Sequence, residues 1–285
     1  MEKLGLEYFD LRWKDAALNG GMQQTKETWD RLAAALAKDP PEMERIKKKH
    51  CRDVAEYLIS KGVLDGDSVV ADIGCGTGNY AVEFGKRVKQ VDCSDISPVM
   101  IDYCRKNAET EGLTNLSYKA CDFLECDIDK EGWRKKYNLV FTSITPAVTG
   151  LKAVEKMNAM ARGFCFNSSF IYRRDDIREA VLHDVFKRDT TNRKRGETTY
   201  YLFNILWQLG YTPEICYYRE EMSAETELTK DYAKQMAASI VKNGEVPEEE
   251  VKRTDDYLFN NYSFNGRIKN TRVSVFAWTL WKAGE

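Results

Sequence analysis

The chain has 285 residues, a formal net charge of -2 at pH 7, 43% hydrophobic and 31% charged residues, and six prolines. That length accommodates one large α/β domain with additions or two small domains, and the composition excludes a disordered or fibrous chain. A charge so near neutral gives no overall attraction to nucleic acid or to an anionic membrane, which favours a small partner. No apolar run approaches the ~18 residues of a membrane span, and the N-terminal stretch is acidic from Glu2 onward, so a cytoplasmic protein is expected. Eight scattered cysteines without a CxxC pair, and only two histidines, argue against a zinc ribbon or a disulfide framework; no metal is expected.

Residues 1–50 read as short helices, with a polar break at Asn19-Gly20-Gly21 between Trp13 and Trp29. From Glu42 to Ser60, Met43, Ile46, Val54, Leu58 and Ile59 recur at helical spacing, and Lys61-Gly62 ends the pattern. Asp67 to Asp72 is a short apolar run after an Asp65-Gly66 turn, which predicts a buried strand. A helix from about Tyr80 to Arg87, a strand Val88 to Cys93, a helix Pro98 to Glu111 and a strand Leu116 to Lys119 follow. Beyond them come a strand Tyr137 to Ser143, a helix Leu151 to Ala161 and a strand Gly163 to Phe170. Such alternation predicts a doubly wound, mostly parallel sheet with helices on both faces.

The remainder breaks the scheme. Arg173 to Arg195 is charged and reads as helical, Glu197 to Leu209 as an amphipathic helix, and Tyr211 to Arg219 as a strand. Ser223 to Lys269 is polar with helical character, and Arg272 to Trp281 is a last strand. The expected division is a helical N-terminal cap over 1–60, an α/β core over 61–222, a helical insertion over 223–270 and the core's last strand over 271–285. An insertion of that length should carry helices and a function, and with residues 1–41 it is expected to form a lid. Leu228, Tyr232, Met236 and Ile240 share one helical stripe that must be buried somewhere. A homodimer contact is the competing use of that face.

Asp72-Ile73-Gly74-Cys75-Gly76-Thr77-Gly78-Asn79 places three glycines between a strand and a helix, where backbone can touch a ligand at the carboxyl end of the sheet. The spacing is GxGxG, and the GxGxxG of pyrophosphate-binding dehydrogenases would need a glycine where Asn79-Tyr80 stands. An acid at Asp72 repels a pyrophosphate and suits a cationic ligand.

This segment resembles the first motif of class I S-adenosylmethionine-dependent methyltransferases. The resemblance implies the Rossmann-like methyltransferase fold with an antiparallel last strand, and S-adenosylmethionine as cofactor. Asp95, in Asp95-Ile96-Ser97-Pro98-Val99-Met100, is similar to the family's second motif and by that resemblance accepts both ribose hydroxyls; Ile96 and Met100 accompany it. Asp92 is its rival. Asp122-Phe123 resembles the third motif, whose acid takes the adenine amino group. Where the family commonly has an acid before the fourth strand's apolar run, Asn138 stands here, and the strand ends in Thr142-Ser143-Ile144-Thr145-Pro146. The expected cofactor set is therefore Asp72, Gly74, Cys75, Gly76, Gly78, Asn79, Asp95, Ile96, Met100, Asp122, Phe123 and Thr142.

Methyl transfer is an in-line displacement, so the protein mainly aligns the acceptor with the methyl group. Thr142, Ser143, Thr145 and His183 are the candidate catalytic residues, while His50 reads as a surface residue on a charged helix. Tyr8, Trp13, Trp29, Tyr172 and Tyr217 are candidates for an aromatic wall. The basic run Arg173 to Arg195 is interleaved with acids, as on a solvated helix. The family's Asn-Pro-Pro-Tyr signature for nucleobases and glutamine is absent. A small-molecule acceptor is thus expected over RNA or protein, and a non-catalytic adenosylmethionine-binding module is the remaining alternative.

Overall fold

The computed structural model describes residues 4–18, 25–36, 41–188, 196–241 and 246–283. The Asn19-Gly20-Gly21 break and the Arg193-Lys194-Arg195 part of the basic run lie outside them. The described residues form two compact units. Unit 1 comprises residues 1–169, 197–216 and 277–285, and unit 2 comprises 170–196 and 217–276. This division differs from the boundaries expected at 61, 223 and 271. It runs across long strands, which are covalently continuous between units and give no composition break to read.

Unit 1 opens with three helices, α1 (Leu6–Leu18), α2 (Lys26–Leu36) and α3 (Pro41–Ser60). The alternating region follows as β1 (Val69–Ile73), α4 (Asn79–Gly85), β2 (Gln90–Asp95), α5 (Pro98–Thr110), β3 (Leu116–Ala120), β4 (Tyr137–Ser143), α6 (Leu151–Met160) and β5 (Ala161–Asp175). Next are α7 (Asp176–Asp184), α8 (Glu197–Gln208), β6 (Glu214–Glu227), α9 (Lys230–Ile240), α10 (Glu248–Tyr262), β7 (Ser263–Phe264) and β8 (Arg267–Lys282). The sheet order is β3-β2-β1-β4-β5-β8-β6. Strands β3, β2, β1, β4 and β5 pair in parallel, and the C-terminal strands bring antiparallel pairing. The expected α/β class with an antiparallel end is what the chain adopts.

Hydrophobic strands buried on both faces organise unit 1. Ala71, Ile73, Val140 and Cys165 pack with α1, α6 and α8 residues Phe9, Trp13, Met157 and Leu202. On the opposite face Phe84, Phe141 and Phe166 interlock, with the last two rings stacked 5.2 Å apart. Trp13 is therefore a core residue of α1 rather than part of an aromatic wall, and Tyr172 and Tyr217 belong to unit 2.

Unit 2 holds the outer parts of β5, β6 and β8 together with β7, α7, α9 and α10. It has its own core of Ile177, Val181, Val185, Ala233, Ile240, Leu258 and Ile268. Of the Leu228, Tyr232, Met236, Ile240 stripe, Ile240 is buried there and the other three, half-buried, pack against that core. Arg173, Arg174 and Asp175 lie in β5, where helix was expected. Buried Asp175 accepts from Arg272 on β8 and caps α7 through the Arg178 N–H. Charge that the sequence presents as a solvated helix is thus satisfied across strands.

Candidate functional site

The glycine turn after β1 is fixed from several sides. Gly74 and Cys75 both donate N–H bonds to the Ser94 carbonyl, at 2.8 and 3.0 Å, and Asn107 donates to the Thr77 carbonyl at 2.8 Å. All three glycines have positive φ, at +68, +54 and +86°. A Cβ on Gly74 would lie 2.1 Å from Thr145 Oγ1, and one on Gly78 would lie 2.4 Å from Cys104 Sγ. Gly76 alone of the three faces open space. Two glycines thus serve close packing, and the middle one leaves room for a ligand.

Asp95, at the end of β2, is tied to that opening. Its Oδ2 accepts the Gly76 N–H and its Oδ1 the Ser97 N–H, each at 2.9 Å. Burial raises its pKa in spite of those bonds. Asp92 is held elsewhere, by Lys136 at 2.5 Å, Ser117 at 2.6 Å and Tyr137 at 3.0 Å. Burial works to raise the Asp92 pKa, but these donors bring it below the ordinary value. The rival acid is part of the sheet's internal network, and Asp95 is the one at the turn.

Asp72 is buried on β1, and its Oδ2 is enclosed without a hydrogen-bond partner. Burial, with Cys104 and Asp95 nearby, pushes its carboxyl well above the usual carboxylate range. An enclosed acid lacking a partner beneath an open glycine turn suits a cationic ligand. Around it, hydrogen bonds among three buried thiols push Cys75 and Cys93 up and Cys104 down. Among the described residues no cluster of His, Cys, Asp or Glu is arranged to hold a metal.

Asp122 is exposed in the turn after β3, with its Oδ1 accepting the Leu124 N–H at 2.9 Å. Phe123 turns inward to the core. Met100 is buried in α5, Ile96 half-buried, and Asn79 exposed at the start of α4. Thr142 is fully buried, with its hydroxyl donating to the Phe166 carbonyl and accepting from Asn167. That hydroxyl is absorbed by the strand pair β4 and β5.

The next residues are different. Ser143 donates to the Tyr80 hydroxyl at 3.0 Å. Ile144 has φ +50°, a strained conformation for a β-branched residue, and its N–H donates to the Ser168 carbonyl at 2.9 Å. This turn sets Thr145 directly over Gly74. Ser168 is buried, pairs in register with Ser143 and has an enclosed hydroxyl with no hydrogen-bond partner. His50 is buried as well, contrary to its surface reading, with its ring 6.3 Å from Tyr80 and 6.1 Å from Trp278. His183 lies on α7 in unit 2, exposed and bonded to Asp184. Tyr80, Ser168 and His50 escaped the sequence reading because a lone His among lysines, and a Tyr one step past a glycine turn, carry no spacing signal.

The N-terminal helices are latched beside this site. Asp10 of α1 accepts the Leu151 N–H at the start of α6 at 2.7 Å. Asp30 of α2 accepts the Ser97 hydroxyl, the N-cap of α5, at 2.5 Å.

Residues 70–162 match the family model described as a methyltransferase domain. This segment belongs to the class I S-adenosylmethionine-dependent methyltransferases. The methyltransferase domain's cofactor is accordingly S-adenosylmethionine. Among curated proteins, the chain is 28% identical over 128 residues to a 23S rRNA (uracil(1939)-C(5))-methyltransferase of Alcanivorax borkumensis; the match takes in 45% of this chain and 28% of that protein. It is also 28% identical over 104 residues to an uncharacterised protein of Methanocaldococcus jannaschii, covering 36% of this chain and 38% of that one. The chain thus spans well under half the length of the relatives it matches. Among solved structures, a methyltransferase-like protein from Bacillus halodurans aligns over 81% of this chain and 98% of its own, with 16% identity and a TM-score of 0.49. No helix among the described residues is long and apolar enough to cross a membrane.

Proposed function

We propose that this protein transfers a methyl group from S-adenosylmethionine to a small, uncharged acceptor that enters at the ends of β4 and β5. The observation that carries this reading is the Ser143–Tyr80 hydrogen bond beside the enclosed, unpartnered Ser168 hydroxyl. When bound, the cofactor supplies an electrophilic methyl on a sulfonium. Asp72 would face its ammonium, Asp95 its ribose hydroxyls and Asp122 its adenine amino group. Ser143 and Ser168 would orient the acceptor by hydrogen bonds, and the Tyr80 hydroxyl would hold Ser143 in place. A neutral lining of hydroxyls and aromatic rings suits a neutral acceptor and leaves an ionic one poorly solvated.

RNA is the second reading, because the curated relatives matched over the same domain include a 23S rRNA methyltransferase. The overall charge of -2 weighs against it, since phosphate contacts dominate nucleic-acid affinity. Incubation with tritiated S-adenosylmethionine and a bacterial extract, split into a low-molecular-weight filtrate, RNA and protein, tests the choice. Label in the filtrate supports a small acceptor. Label confined to RNA or protein overturns it, and no label in any fraction supports a binding module without turnover.

A further inference from the structure

The turn that carries Asp122 is held from beneath by one cation. The Lys156 ammonium, on α6, donates to the carbonyls of Phe123, Leu124 and Cys126 at 2.8, 2.8 and 2.7 Å. An ammonium has three donors, so all of them converge on this single turn. The Lys156 Nζ also stands 5.4 Å from the Phe123 ring centroid, and that ring is 3% exposed in the core. The turn's own bonds complete the frame. Asp122 O accepts the N–H groups of Glu125 and Cys126, and Asp122 Oδ1 accepts the Leu124 N–H. At its start, the Cys121 N–H donates to the Asp95 carbonyl at 2.8 Å, joining the turn to the acid at the end of β2.

We infer that Lys156 is a positioning residue for cofactor recognition, setting the Asp122 carboxylate so that its second oxygen meets the adenine amino group and thereby selecting adenine over other purines. The inference rests on the adenosine site described above. Three carbonyls pointing at one spot repel each other unless a cation sits among them, so the turn keeps this shape only with Lys156 in place. Burial lowers the Lys156 pKa, in keeping with its enclosure by the turn. Lys156 itself touches no part of the cofactor in this arrangement. Its effect on binding passes through Asp122, and should fall on the base while the ribose and amino-acid ends are read as before.

The test compares S-adenosylhomocysteine with S-inosylhomocysteine, which replaces the adenine amino group by a carbonyl. The wild-type protein should prefer the adenine compound by tenfold or more in titration calorimetry, since one bond from a carboxylate is at stake. Lys156→Met should reduce the preference to under about threefold, chiefly by weakening S-adenosylhomocysteine binding. Asp122→Asn should do the same, and the double variant should lose no more than either single one. Should Lys156→Met fail to fold, Lys156→Gln, which keeps an amide donor, is measured in its place. An undiminished adenine preference in a folded Lys156 variant overturns the assignment. So does a uniform loss for both compounds, which marks a structural role alone. A wild-type protein that binds neither compound overturns the adenosine reading of the site along with it.

Discussion

The Asp95 carboxylate accepts the Gly76 N–H at 2.9 Å, so the acid at the end of β2 and the apex of the glycine turn after β1 form one hydrogen-bonded unit. Removing the carboxylate therefore loosens the turn as well as deleting the proposed ribose acceptor. Asp95→Ala is expected to weaken S-adenosylhomocysteine binding by about 1.5–3 kcal/mol, on the scale of hydrogen bonds to charged groups, or roughly ten- to hundredfold. Asp92→Ala should instead lower thermal stability and leave affinity within about twofold, because Asp92 serves Lys136, Ser117 and Tyr137. Calorimetry and a melting curve on both variants decide it, and an unchanged affinity in Asp95→Ala would remove Asp95 from the site.

Gly76 has open space where a side chain would go, so Gly76→Val puts a branched group into the ligand's volume and strains a backbone at φ +54°. The expected result is a folded sheet by circular dichroism with no measurable S-adenosylhomocysteine binding. Gly78→Ala fails differently: its methyl meets Cys104 Sγ, so stability drops first. Normal binding by Gly76→Val would make the whole turn structural.

Asp72 gives the site a pH signature. Burial holds its carboxyl protonated well above the ordinary value of 3.8. The folded, cofactor-free protein thus retains a proton that the unfolded chain releases. This contribution to stability is complete below the ordinary carboxylate value and is lost as pH rises toward the raised value. Binding an ammonium favours the ionised form, so cofactor affinity should rise with pH over the same window, with release of a proton. Calorimetry in buffers of different ionisation enthalpy counts that proton. Asp72→Asn should abolish the release and weaken binding by tenfold or more, and a proton count identical to wild type would show that Asp72 does not face the ammonium.

Asp10 and Asp30 fasten α1 and α2 to the starts of α6 and α5. Asp10→Ala with Asp30→Ala should leave the sheet intact while making α1 and α2 more open to limited proteolysis. S-adenosylhomocysteine should restore protection if α2 also borders the ligand. Equal cleavage rates in the double variant and wild type would show that other packing, such as Phe9 against Tyr200 at 6.0 Å, is what holds these helices.

What the sequence made legible follows from how local each signal is. Strand β4 was readable to the residue because Tyr137 to Ser143 is a mainly apolar run between the charged Lys135-Lys136 pair and the Thr145-Pro146 turn, and the motif acids stand at fixed distances from the glycine turn. Three features were illegible because their partners are distant in the chain. Arg173 to Asp175 read as helix because their partners, Ser274 and Arg272, lie some hundred residues later, and only the strand pairing brings them together. Lys156 drew no reading from the sequence, because three backbone carbonyls leave no trace in side-chain spacing. His50 failed similarly: its neighbours Tyr80 and Trp278 come from α4 and β8.

Unit 2 can be tested apart from cofactor binding because it has its own core. Leu258 is fully buried among Ile177, Val181, Ile240 and Ile268, so Leu258→Ala should cost that unit about 2–5 kcal/mol. Hydrogen exchange should then show faster amide exchange in 170–188, 217–241 and 246–276, with the strands β1 to β4 unchanged. Every residue assigned to cofactor binding lies in unit 1, so S-adenosylhomocysteine affinity should stay within about twofold of wild type. Turnover is the informative readout once an acceptor is in hand. If the helices of 223–269 act as a lid, loosening their core should lower kcat or raise KM for the acceptor while cofactor affinity holds. Full turnover in a variant whose unit 2 amides exchange freely would exclude the lid, and a concentration-dependent loss of a dimer in the same variant would assign these helices to an interface between copies of the chain.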